Sequence, residues 1–240
     1  MTKKLLTLII FAITFSFSNA YAGDDKRKGA HLNISASESV EVEEDLLVVN
    51  LRFETEGKNP QEVQKAINDK MTTALEEVKK HKKIKVSTEH YSVYKYNPRV
   101  KKGEKRKTIW KGSQSMQLKS KDSSEILKTT GTLQSMGLAV NGLNFVVSPE
   151  LREETRDSLM EKSVEKLLSK AKRVAKVLGK DDIEVLNINV DSNNYYPSPV
   201  PMRASGMMMK SMDAESVPVA SPGQSRISTT VSATILIKDD

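Results

Sequence analysis

Apolar and polar residues along the chain follow two periods, and the switches between them mark out its elements. Leu47, Val49, Leu51 and Phe53 alternate with Val48, Asn50, Arg52 and Glu54, the pattern of a strand with one buried face. An earlier strand is expected at about 32–40. A helix should begin after Asn59, which can cap it, with Pro60 in the first helical position and Glu62 in the first turn. Val63, Ile67, Met71, Ala74, Leu75 and Val78 then share one face of a helix. That face gives out in the basic run 79–83. Strands at about 84–96 and 107–119 form a long hairpin around Asn97, Pro98 and Gly103. Its tip carries Arg99, Lys101, Lys102, Lys105, Arg106 and Lys107.

The order strand, helix, strand then repeats. Asp122 and Glu125 frame a helix that runs to Met136 and is stopped by Gly137, and a strand covers 138–147. Two such units in series spell β-α-β-β-α-β, so the chain reads as an α+β fold of ferredoxin-like pattern. A long helix and further strands follow. The helix opens at Ser148 and Pro149, with Val164, Leu167, Leu168, Ala171, Val174, Ala175 and Leu178 as its apolar stripe and Gly179 at its end. One strand is expected at 183–190 and a last one through Val231, Ala233, Ile235 and Ile237. Residues 192–223, between them, show neither period and are rich in Met and Pro. A segment of that length without strand or helix signals is expected to be functional or mobile.

The first residues have a different character. Lys3 and Lys4 precede an apolar run over 5–17, and Ala20, Tyr21 and Ala22 place small residues where a signal peptidase reads them. This is the three-part pattern of a secretory signal peptide, so residues 1–22 are expected to be cleaved and the mature protein to be periplasmic. Residues 23–30 read as a flexible leader. The apolar run is shorter than the roughly 20 residues a membrane span needs, and no later segment reaches that length. Cleavage takes two lysines and no acid with it, lowering the formal charge from +7 to +5. The chain has no Cys, which excludes thiol chemistry and Cys-based metal sites. His31, His81 and His90 lie too far apart in sequence to suggest a zinc motif.

Several short motifs, taken in order, resemble the SIMPL-domain family of bacterial periplasmic proteins. Ala66, Asn68 and Met71 match a series in its first long helix, and Thr88, Ser92, Val93 and Tyr96 match the strand that follows it. Asn141, Gly142, Asn144, Phe145 and Ser148 match a later strand and the helix start after it. Lys170, Ala171, Ala175, Leu178 and Gly179 match the end of its third helix, and Pro201, Met202, Arg203, Ala204, Pro222 and Gly223 match the segment before its last strand. The family's Pro-Asp pair before the second strand is here Glu44-Asp45, and its glycine-rich opening is here Asn33, Ile34, Ser35, Ala36 and Ser37. This chain therefore resembles a distant member, with the SIMPL-type domain at 31–240. The resemblance implies a periplasmic protein linked to oxidative or envelope stress and able to self-assemble into rings; it implies no settled biochemical activity.

Catalytic motifs are missing: there is no GxSxG elbow, P-loop, GxGxxG or HExxH. Glu41, Glu43, Glu44 and Asp45 sit in a polar run beside strands and read as a solvated edge. The chain is thus expected not to be an enzyme. Met202, Met207, Met208, Met209 and Met212 are five of its ten Met residues. Thioethers are soft ligands that select Cu(I), exposed Met oxidises reversibly, and Met also fills irregular packing surfaces. Copper binding, oxidant buffering and packing all stay open for this segment, and no other cofactor is expected. The basic hairpin tip and the run at 79–83 are solvated charge by default. In the periplasm they would meet anionic envelope components rather than nucleic acid. Trp110, beside the tip, is either a core residue of the hairpin or an interfacial anchor. The expected function is structural or protective, in envelope or oxidative stress, through a homo-oligomer. Its rivals are soft-metal binding by the Met segment and binding of anionic envelope components.

Overall fold

The computed structural model describes residues 29–98, 108–191 and 218–238. Their elements are β1 (Gly29–Glu43), β2 (Leu46–Gly57), α1 (Pro60–Lys79), β3 (Lys85–Tyr96), β4 (Ile109–Ser120), α2 (Ser123–Ser135), β5 (Ala139–Val146), α3 (Pro149–Val177), β6 (Ile183–Asp191) and β7 (Gln224–Lys238). The helices start where their caps dictate. Asn59 Oδ1 accepts the Glu62 N–H at 2.9 Å, Asp122 Oδ1 accepts the Glu125 N–H at 3.1 Å, and Ser148 Oγ accepts the Leu151 N–H at 3.3 Å. Gly137 and Gly179 follow the ends of α2 and α3 with φ of 92° and 72°, a backbone conformation that side chains with a Cβ rarely adopt.

The first half is the β-α-β-β-α-β unit the pattern implied. Its four strands lie in the order β3-β4-β2-β5, every neighbour antiparallel, which is the ferredoxin-like arrangement. The alternation in β2 sends Leu47, Val49 and Leu51 to one face, where they are fully buried with Met116 and Leu118 of β4. Val63, Ile67 and Met71 of α1 and Ile126 and Leu133 of α2 close over that face. Trp110 packs half-buried against this core, so the core reading of that residue holds.

The second half unites the two ends of the chain. β1, β7 and β6 form a three-stranded antiparallel sheet in the order β1-β7-β6. β1 and β7 pair along their whole length, from Gly29 opposite Lys238 to Glu43 opposite Gln224. α3 covers one face of this sheet, over Ala36, Val231, Ala233 and Ile235. The other face is polar: Ser37 and Thr230 hydroxyls lie 2.8 Å apart, and Thr234 donates to Asn33 at 2.8 Å.

The apolar stripe expected on α3 is corrected by this packing. The buried column is Leu159, Ser163, Leu167, Ala171 and Ala175, while Val164 and Leu168 flank it half-buried and Leu178 is exposed. Alanines on the sheet and on the helix let the two approach along a single row spaced by four residues. That row is too narrow to cover the flanking leucine and valine positions. Ser163, fully buried in the row, satisfies its hydroxyl by donating to the Thr229 carbonyl at 3.2 Å.

Candidate functional site

The two halves meet where β1 turns into β2. Two of the acids expected to form a solvated edge at this corner are instead held in hydrogen bonds within the structure. Glu44 is buried at 9 % exposure. Its N–H donates to the Gly223 carbonyl at 3.0 Å, and its carboxylate accepts from the Ser225 hydroxyl at 2.7 Å. Asp45 accepts from the Ser148 N–H at 2.7 Å and from the Ser148 hydroxyl at 2.8 Å, with Lys121 Nζ 2.8 Å away. Burial alone would raise the Asp45 carboxyl; the Lys121 ammonium and the two Ser148 donors outweigh it and hold the group below the usual carboxylate range. Asp45 and Ser148 thus tie the start of β2 to the start of α3.

Beside this junction lies a cleft of about 1000 Å³. Leu46, Pro149 and Glu150 form one side, Asp122, Ser123 and Ser124 at the start of α2 another, and Lys82, Lys83, Lys85, Lys119 and Lys121 the rest. Five lysines against two carboxylates leave an excess of three positive charges. Topology explains the clustering. The β3–β4 hairpin returns the chain to its starting end, so the lysines before and early in β3 meet those that close β4. Lys85 stands directly opposite Lys119 in the register.

The acids in the walls are already engaged. Lys83 pairs with Asp122 at 2.9 Å, and this contact raises the Lys83 ammonium above its ordinary value. Lys121 reaches Glu150 at 3.9 Å as well as Asp45. The Glu150 carboxyl is held low by its own backbone N–H and then by Lys121 and Lys85, against the effect of burial. Part of the run at 79–83 is therefore stitched into the structure rather than left in solvent. Lys80 pairs with Glu77 at 2.5 Å, and His81 Nδ1 lies 3.0 Å from Glu125 Oε1. Lys82, Lys85 and Lys119 make no ion pair among the described residues.

The site residues singled out in the sequence are not among these. Arg99, Lys101, Lys102, Lys105, Arg106 and Lys107 of the hairpin tip lie outside the described residues, as do Met202, Met207, Met208, Met209 and Met212. Among the described residues no group of three or more His, Asp or Glu side chains could hold a metal ion, and no helix is long and apolar enough to cross a membrane. The cleft lysines had a signal in the sequence, a Lys-x-Lys at each end of the hairpin, at 83–85 and 119–121. A bulge between Thr88 and Tyr91 shifts the register, so counting from the turn does not pair them correctly.

The family model described as "SIMPL: Protein of unknown function (DUF541)" matches residues 32–235. The chain belongs to the SIMPL family. The match runs from β1 to β7 and takes in both sheets, the Asp45–Ser148 tie and the lysine cleft. SIMPL is a family of unknown function rather than a known enzyme family. A comparison with curated proteins finds no match.

Proposed function

We propose that this SIMPL protein is an exported, periplasmic, non-enzymatic protein with a structural or protective role in envelope or oxidative stress. It carries out that role by holding an anionic component of the envelope in the lysine-lined cleft. The observation that supports this reading is the excess of positive charge in one concave site, five lysines against two carboxylates in its lining and Asp45 behind Lys121. The buried or half-buried carboxylates nearby are committed to structure: Glu44 to Ser225, and Asp45 to Ser148 and Lys121. The signal-peptide pattern at 1–22 supports the location. Co-sedimentation with anionic phospholipid vesicles tests the reading. The purified exported protein should bind at low salt and be released as salt screens the exposed lysines. Equal binding to uncharged vesicles, or binding indifferent to salt, would sink it.

Self-assembly is a second reading, and one edge strand favours it. At the outer edge of β1, Lys166 and Lys170 of α3 reach the Ser37 and Ser35 carbonyls at 3.1 and 3.2 Å, and lysines over an edge discourage pairing. At the opposite edge, β6 exposes Val185 and Ile188, 42 % and 46 % accessible. An apolar edge strand is a template for another chain. Light scattering should therefore report an oligomer at tens of micromolar, reduced in size by Ile188→Lys. A monomer, or an oligomer untouched by that change, removes β6 as the contact.

A further inference from the structure

We infer that the lysine cleft is a site for a phosphate group, clamped between Lys85 and Lys119. This rests on the reading of the cleft as an anion site and names the anion's chemistry. The decisive feature is the direct opposition of Lys85 and Lys119 on neighbouring strands. Like charges facing each other across a sheet destabilise it. Several other lysines of the same half are answered by acids: Lys65 by Asp69 at 2.6 Å, Lys111 by Glu56 at 2.6 Å, Lys83 by Asp122 at 2.9 Å. Lys85 and Lys119 have no such acid among the described residues. Glu150, whose carboxyl feels Lys85, is also drawn to Lys121.

The donor set points to phosphate rather than carboxylate. Among the described residues lysine is the only basic residue type lining the cleft. An ammonium is a compact point charge with three donors that can approach from any direction, whereas the planar fork of arginine pairs two parallel donors with one edge of a carboxylate or a phosphate. A phosphate group offers oxygens in several directions to such scattered donors, and the Ser123 and Ser124 hydroxyls in the wall add neutral ones. At about 1000 Å³ the cleft exceeds a bare phosphate, so the group belongs to a larger molecule: a phosphorylated solute or a phospholipid headgroup.

Calorimetry on the purified exported protein with inorganic pyrophosphate, citrate and phosphatidylglycerol vesicles tests this. Pyrophosphate should bind, and the double change Lys85→Ser with Lys119→Ser should weaken it by at least about tenfold, as expected for losing hydrogen bonds between charged groups. The control pair Lys65→Ser with Lys172→Ser removes the same charge from exposed faces of α1 and α3 and should leave affinity unchanged. The cleft variant should be as stable as the wild type or more so, since a repulsive pair is gone. The milder Lys119→Gln should act in the same direction. Binding of pyrophosphate without vesicles assigns the phosphate to a solute; cleft-dependent binding of vesicles without pyrophosphate assigns it to a lipid. Citrate binding as tightly as pyrophosphate, with both lost in the cleft variant, overturns the phosphate assignment and leaves the anion site standing. Absence of binding to every probe, or affinity unchanged by the double substitution, overturns both.

Discussion

Replacing Gly112 by valine is expected to destabilise the four-stranded half by about 3 kcal/mol, with alanine nearer 1 kcal/mol. Gly112 lies on β4 directly beneath α1. A Cβ built there would sit 2.5 Å from Val63 Cγ1, 2.7 Å from Ile67 Cδ1 and 3.1 Å from the Ser92 carbonyl oxygen. The Ile67 methyl can swing aside, but Val63 is β-branched and stiff at χ1, and the Ser92 oxygen is backbone. Two effects compete. A side chain at a glycine restricts the unfolded chain and stabilises by about 0.4–1 kcal/mol, whereas overpacking a filled core costs about 1–3 kcal/mol. The clash should win. Urea unfolding reads the result as a lower midpoint. The same site gives an internal check, because Gly112→Ala should be tolerated better once Val63 is alanine. Coupling between such touching positions should be about 0.5 kcal/mol or more. Additive effects of the two changes would show that α1 does not rest on Gly112.

Asp45→Ala should cost about 2 kcal/mol at neutral pH, the scale of hydrogen bonds to a charged group. It strips the acceptor from the N–H and the hydroxyl of Ser148, a residue with no exposed surface, and leaves Lys121 without its nearest carboxylate. The loss should depend on pH. Because the folded carboxyl titrates below its ordinary value, the unfolded chain takes up its proton first as pH falls. The stabilising contribution is then complete well above about pH 4, the unfolded value, and is lost as pH drops through the lower folded one. The gap between wild type and Asp45→Ala should be widest at neutral pH and narrow in strong acid, where wild type should approach Asp45→Asn, since the protonated carboxyl and the amide each keep one neutral acceptor. A difference that stays constant from neutral pH to strong acid would show that the carboxylate's charge plays no part in the tie.

The cleft shows why sequence reading reached the elements and not the site. The sequence marks the lysine run at 79–83 as solvated charge and sets no mark on Lys119 or Lys121. Their meaning depends on which residue of β3 faces which residue of β4, and the bulge after Thr88 moves that register. The hairpin tip and the Met segment stand out by the local density of one residue type, which is legible without a structure. The cleft takes its lysines and serines from two stretches, 82–85 and 119–124, and only the pairing of β3 with β4 brings them to one place.

By itself the sequence determined the succession of strands and helices, because period-two and helical patterns, the caps Asn59, Asp122 and Ser148, and the stops Gly137 and Gly179 all act over a few neighbouring residues. It also determined the β-α-β-β-α-β unit, since short connections and buried faces leave few ways to assemble it. The tertiary structure alone decided that β1 and β7, at opposite ends of the chain, would pair with each other. It also decided that Glu44 would be buried and that Asp45 would find Ser148, a residue 103 positions away. It set Lys85 against Lys119 as well. Each of these is a contact between distant segments, and its partner is selected by the packing of whole sheets and helices, an energy spread over many residues that no local pattern records.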